Sequence, residues 1–392
     1  MAKKMKIAFV SRQDVNDITS WSGTNYHMYH ALKMICEKRG ISIYVIDKLI
    51  AKRNIVIKIL EKIYNVIWVK TFQQLPNGIF YRATVKSFAR QIKKKLQKDT
   101  DIIFSLTVWP LAYLKLNKTK VFYTDSDIGD FMEMSSLYVK HSKQWQETAI
   151  ELQEKSINNS DLALLASEWA AEGLIKRHKL TNTNKVKIIP FGINMECTRT
   201  KNDIEEMLVN KKGDVCNLLF VGVDWLKKGG NIALETARIL HEKGIRVHLD
   251  IVGIKNCPVE LPNYVENHGF IFKSTKVGME KLDYLFKNAH FFILPTQIEA
   301  YGIVYAEASS YGIPSLASSV GGVPCVVIDG LNGKLFSLSD NGDKYAEYIQ
   351  TMLSNYEDYK NLCFSSFERY EQCLNWKIAC ENILGHIEKV RK

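Results

Sequence analysis

The sequence predicts an α/β protein of two Rossmann-like halves. Its 392 residues exceed what one core of ordinary size holds. Short apolar strands alternate with amphipathic helices in two separate runs, the signature of parallel sheets covered on both faces. Between the runs, residues 187–214 carry Pro190, Gly192 and a polar charged stretch that interrupts the periodicity. With 46% apolar and 24% charged residues, the composition excludes disordered and fibrous classes.

The first half opens on the apolar run Lys6–Val10, a polar loop through Gly23 and a helical pattern over 24–37. Further strands are expected at 41–47, 101–106 and 120–124. The second alternation runs from strand 217–223 through helix 231–243, strand 247–252, helix 281–288, strand 290–294 and helix 304–311 to a short strand at 315–317. A last helix follows Trp376. The expected domains are 1–190 and 191–376.

The basic N-terminus is followed by an apolar run that stops at Val10, which does not read as a signal peptide. The longest nearly uncharged apolar run, 102–114, is interrupted by Pro110 and falls short of the roughly 18 residues of a spanning helix. Eight cysteines form no C-x-x-C pair and lack histidines at zinc spacing, as expected of free thiols in a reducing compartment, so the cytoplasm is expected. The first strand leads to no G-x-G-x-x-G turn, which disfavours a dinucleotide oxidoreductase.

Charge is unevenly placed. Residues 1–120 hold 23 basic and 7 acidic side chains, net +16, against 30 and 35, net −5, in the remainder. Residues 51–70 read as a basic amphipathic helix, with Val56, Ile59, Leu60, Ile63 and Ile67 on one face and Lys58, Glu61, Lys62 and Asn65 opposite. Lys93, Lys94, Lys95 and Lys98 add a second cluster. Either the apolar face covers the sheet, or the helix docks on an anionic membrane surface. The basic segments contain no recognisable nucleic-acid module, so no nucleic-acid partner is expected.

The densest chemical signal is residues 294–307, LPTQIEAYGIVYAE, with carboxylates Glu299 and Glu307 eight positions apart. Glu299 is expected at the C-terminal end of an apolar strand, Gly302 permits close backbone approach, and a helix begins there with exposed N–H groups, a cradle for phosphate. Glu307, just over one turn further on, is placed to accept ribose hydroxyls. A second strand end, 220–230, offers Lys227 and Lys228 beside a glycine turn, cations suited to a departing diphosphate.

These segments, with Ser319-Val-Gly-Gly322-Val-Pro and Asp329-Gly-Leu-Asn-Gly333, resemble in order and spacing the retaining GT-B glycosyltransferases of family 4. Ala166-Ser-Glu-Trp and Ile189-Pro-Phe-Gly-Ile-Asn194 extend the resemblance to the first half. It implies two domains facing each other across a cleft that holds the active site, with a terminal helix, about 377–392, crossing back to the first domain. It implies that Lys228 binds donor phosphate, Glu307 the ribose and Glu299 the donor sugar. Backbone N–H groups of Tyr301, Gly302, Ile303 and Val304 would hold sugar hydroxyls and phosphate, the loop at Gly23 would close over the donor, and Gly269 and Phe270 would lie near the base.

Two positions depart from the family pattern. Val223 stands where most members carry Arg, and Lys227 is the candidate substitute. Asp125-Ser-Asp127 stands where a His is common. Asp125 is then a candidate to orient the sugar or accept a proton, or it is one of a turn-forming pair. Although this triplet spells Asp-x-Asp, it lies in the presumed acceptor domain, so no metal site is expected. The expected activity is metal-independent, retaining transfer of a sugar from a UDP- or GDP-linked donor to a glycan or lipid-linked acceptor, without a further cofactor. A sugar-nucleotide epimerase, a phosphorylase and a non-catalytic sugar-nucleotide-binding protein are the alternatives.

Overall fold

The computed structural model describes residues 4–51, 55–72, 78–136, 142–211 and 215–392. Residues 1–3 of the basic N-terminus, 52–54 of the basic segment and 212–214 of the interrupted stretch therefore lie outside the described residues. The chain divides into two compact units, one of Met1–Pro190 with Ala379–Lys392 and one of Phe191–Ile378.

The first unit is built on six parallel strands, β1 (Lys6–Val10), β2 (Ser42–Ile46), β3 (Ile102–Ser105), β4 (Thr119–Thr124), β5 (Leu162–Leu165) and β6 (Val186–Ile188), in the order β2-β1-β3-β4-β5-β6. Every residue of β3, β4 and β5 is buried, as strands covered on both faces require. Ser142 and Ser167 start helices Lys143–Asn159 and Glu168–Arg177 by accepting from the N–H groups of Trp145 and Ala170, so the Ala166-Ser-Glu-Trp segment is a helix cap. The helix Trp376–Val390 enters this unit at Ala379, where Glu381 and Glu388 pair with Arg39 and the Cys380 thiol meets the Met28 carbonyl.

The second unit repeats the plan with β7 (Cys216–Val221), β8 (Val247–Val252), β9 (Val265–Asn267), β10 (Phe291–Leu294), β11 (Ser315–Ser318) and β12 (Gly333–Phe336), in the order β12-β11-β10-β7-β8-β9. The polar stretch expected to interrupt the pattern contains a helix, Lys201–Asn210, because Thr200 and Asp203 form a reciprocal capping box. Helix Lys276–Asn288 begins five residues before the apolar pattern does, set by Thr275 accepting from Gly278 N–H. In both sheets the strand order reverses beside the first strand, between β1 and β3 and between β7 and β10. Open α/β sheets bind ligands outside the strand carboxyl ends at such reversals.

The helix Ile55–Phe72 corrects one alternative: Ile59, Leu60, Ile63 and Ile67 are more than half exposed, so this apolar row does not cover the sheet.

Candidate active site

The loops that leave β7 and β10 are tied together at the β7/β10 reversal. The carbonyl of Lys227 accepts from Gln297 N–H at 2.8 Å and from the Thr296 hydroxyl at 3.1 Å. Gly229 adopts φ 75°, and a β-carbon there would fall 1.9 Å from the Pro295 carbonyl oxygen. Only glycine meets both conditions, and it starts helix Gly230–Glu242 where the loops touch.

This junction brings Lys228 and Glu299 together. Lys228 Nζ lies 2.6 Å from Glu299 Oε2, with both side chains largely but not wholly withdrawn from solvent. Glu299 is not at the strand terminus, as expected, but five residues beyond Leu294 in the connecting loop. Gly321, at φ 51°, lets its loop press on the Glu299 carbonyl, and Gly302, at φ 87°, starts helix Ile303–Ser309 beside the Glu299 side chain. As first-turn residues, Ile303 and Val304 direct N–H groups out of the helix end without intrahelical acceptors. Tyr301 is buried and donates its hydroxyl to the Phe191 carbonyl at 2.8 Å, so its side chain braces the linker and only its backbone can face a ligand.

Glu307 is neither a surface nor a solvated residue: its carboxylate is 2% exposed and lies 2.5 Å from Lys273 Nζ. Sequence reasoning missed Lys273, whose only signal is its place four residues beyond Gly269 at a strand end. Gly269 takes φ 63° and donates to Asn267, turning the chain so that Phe270 and Phe272 stand exposed with ring centroids 4.8 Å apart. Aromatic faces of this kind stack on planar bases.

Lys227 is engaged by Asp224, at 3.2 Å between side chains. The Lys227 N–H, foremost, and its ammonium hold the Asp224 carboxyl below its ordinary pKa against the opposing effect of burial. Val223 is exposed at 70%.

Gly23 and Asp125 belong to the first unit. Trp21, Ser22 and Gly23 take positive φ in succession, 49°, 54° and 92°, leading into helix Thr24–Lys38. Two non-glycine residues in that region mark a strained turn. Asp125, just beyond β4, accepts from Ser126 Oγ. Asp127 is wholly buried and held by Arg177 at 2.6 Å, by His178 at 3.2 Å and by Gly129 N–H at 2.8 Å. Burial works against its charged form, but these hydrogen bonds outweigh it and keep its pKa low. Both of its oxygens serve the packing of this unit.

Among the described residues, His248, Asp250 and Glu266 offer potential metal-ligand atoms within 4.8 Å of one another. They share a face because Asp250 stands opposite Glu266 in the β8/β9 register, and His268 Nε2 already lies 2.6 Å from Asp250. This cluster is on the strands, not on the loops that carry Lys228 and Glu299.

The family model described as glycosyl transferases group 1 matches residues 203–363, which contain the Lys228–Glu299 and Lys273–Glu307 pairs. An uncharacterized glycosyltransferase of Methanocaldococcus jannaschii is 26% identical over 223 residues, 55% of this chain and 58% of that protein. The chain aligns with about half the length of the curated relatives it matches. Sucrose-phosphate synthase from Thermosynechococcus elongatus has the same fold, with a TM-score of 0.67 at 18% identity over 99% of both chains. Anabaena HepE, solved in complex with UDP, gives 0.64 at 15% identity over 98% of this chain and 100% of its own. The fold is GT-B, two Rossmann-like units.

Proposed function

We propose that the chain is a glycosyltransferase that moves a sugar from a nucleotide-sugar donor to a hydroxyl of a glycan or lipid-linked acceptor, in surface polysaccharide or glycolipid assembly. The observation that carries this reading is the Lys228–Glu299 pair at the β7/β10 reversal, inside the segment that matches the glycosyl transferases group 1 model. An ammonium beside a helix start suits the diphosphate whose charge grows as the glycosidic bond breaks. A neighbouring carboxylate suits the sugar hydroxyls. Glu307 then takes the ribose, and Phe270 the base.

On the same reading the donor is UDP- or GDP-linked and the transfer is metal-independent and retaining, with the acceptor hydroxyl attacking the face that the diphosphate leaves. The site of action is cytoplasmic, at the inner face of a membrane. Supporting the UDP donor is the UDP bound by Anabaena HepE. Asp125 and the Gly23 loop are assigned to sugar orientation and donor closure.

A panel of UDP- and GDP-sugars in thermal shift, followed by turnover of stabilising donors with and without glycan and lipid-linked acceptors, tests this. Binders raise the melting temperature with the logarithm of concentration over affinity. Acceptor-dependent nucleotide release that persists in chelator, with the donor anomer kept in the product, is the expected result. Release of an epimerised nucleotide sugar, or turnover that needs inorganic phosphate, overturns it in favour of another GT-B enzyme. Binding without turnover supports the non-catalytic alternative, which the absence of an arginine at position 223 favours.

A further inference from the structure

Helix Ile55–Phe72 shows solvent the side that a core helix buries. Ile55, Ile59, Leu60, Ile63, Val66 and Ile67 are each between 47% and 72% exposed. At a helical period they fall on one arc of about 140°. Glu61, Tyr64, Asn65 and Trp68, on the other side, are half-buried. Scattered exposed apolar residues are ordinary, but six on one continuous helical face mark a contact surface.

The surrounding charge identifies the partner. Lys58 and Lys62 border the arc and Lys70 stands within it near its end, all three exposed. Residues 55–98 hold ten basic side chains against one acidic, Glu61. In the following helix, Gly78–Lys95, Lys86, Arg90 and Lys93 recur at i, i+4 and i+7 and line a shared groove with Tyr113. A second copy docked through the same face would set these cations against their like. An anionic bilayer complements them, since lysines keep their ammonium groups at the headgroups while their stems and the isoleucines reach the acyl boundary. No helix among the described residues is long and apolar enough to cross a membrane, and the charges of Lys58, Glu61, Lys62 and Lys70 suit one that lies flat.

We propose that helix Ile55–Phe72 docks in the plane of an anionic phospholipid surface, its isoleucine face inserted and its lysines on the headgroup phosphates. This goes beyond sugar transfer and does not depend on it.

Flotation of the full chain with phosphatidylcholine vesicles, and with vesicles in which about a third of the lipid is phosphatidylglycerol, supplies the test. Expected is capture by the anionic vesicles alone, reversed by high salt. Lys58→Ala, Lys62→Ala and Lys70→Ala together should weaken capture on the order of 100-fold, about fivefold for each lysine near the surface. Ile59→Asp with Ile63→Asp should abolish it, while the circular dichroism and melting temperature of the free protein stay unchanged. Equal capture by both vesicle types, capture insensitive to salt, or no capture by the parent chain overturns the proposal without any variant. A concentration-dependent dimer in vesicle-free sedimentation that Ile59→Asp with Ile63→Asp dissolves assigns the face to a second copy and also overturns it.

Discussion

Lys273 Nζ stands 2.5 Å from Glu307 Oε1, an ion pair that binds the loop after β9 to the helix after β10. The carboxylate is enclosed and the ammonium is 31% exposed, so the pair fixes the orientation in which Glu307 would make the ribose contact proposed for it.

Ribose contacts exist in the ground state and the transition state alike, so losing them raises KM more than it lowers kcat. Glu307→Ala and Lys273→Met should both raise donor KM about tenfold with kcat within a fewfold, and Lys273→Arg should restore most of the loss. The free protein should also lose about 1 to 3 kcal/mol in Lys273→Met, less than for a fully enclosed pair because the ammonium is partly solvated. Steady-state kinetics with denaturant melts separates the two effects. A collapse of kcat at unchanged KM in Glu307→Ala excludes the ribose role.

A pH dependence resides in His290, which lies between these two residues in the chain. It is buried, accepts the Asn217 N–H at Nδ1 over 3.1 Å and faces the Lys211 carbonyl through Nε2 at 2.9 Å. Burial, foremost, pushes its pKa down from 6.5 to about 4. Between those values the unfolded chain binds a proton that the folded chain refuses, so stability is full above pH 6.5 and falls as the pH drops to about 4. The loss is about 3 kcal/mol. His290→Asn, which keeps an acceptor for Asn217, should remove that part of the slope. Urea melts of both proteins from pH 7.5 to 4 give the difference, and parallel curves dismiss the assignment.

The two-sheet architecture was legible because long helices and the apolar runs at β1, β7, β8 and β10 carry strong patterns. Strands β5, β6, β9 and β12 were missed. Of the site, Lys228, Glu299 and Glu307 were visible through motif order. The Lys228–Glu299 contact, 71 positions apart, depends on β7 and β10 being neighbours, which no local pattern states. Lys273 was invisible for the same reason. The exposed face of helix Ile55–Phe72 could not be told from a core face, because amphipathicity records that a helix has two sides and not which one is covered.

Val223 stands where the resembled family carries Arg, and Lys227 and Lys228 are the cations in the same loop. Lys228 is held toward the reversal by Glu299, while Lys227 is held by Asp224 in its own loop, so the two ammonium groups are not equivalent. Lys228→Ala should cost roughly 2 to 4 kcal/mol in kcat/KM, the scale of one preorganised electrostatic group. Lys227→Ala should cost less, because its charge is partly spent on Asp224. If Lys227 nonetheless supplies the missing cation, Val223→Arg should rescue Lys227→Ala in part and Lys228→Ala not at all, since an arginine at 223 replaces charge near the diphosphate without replacing the partner of Glu299. Comparing kcat/KM for both single variants and both doubles decides this. Full activity in Lys227→Ala would show that it is no substitute, and equal indifference to Lys228→Ala would remove the phosphate assignment from Lys228.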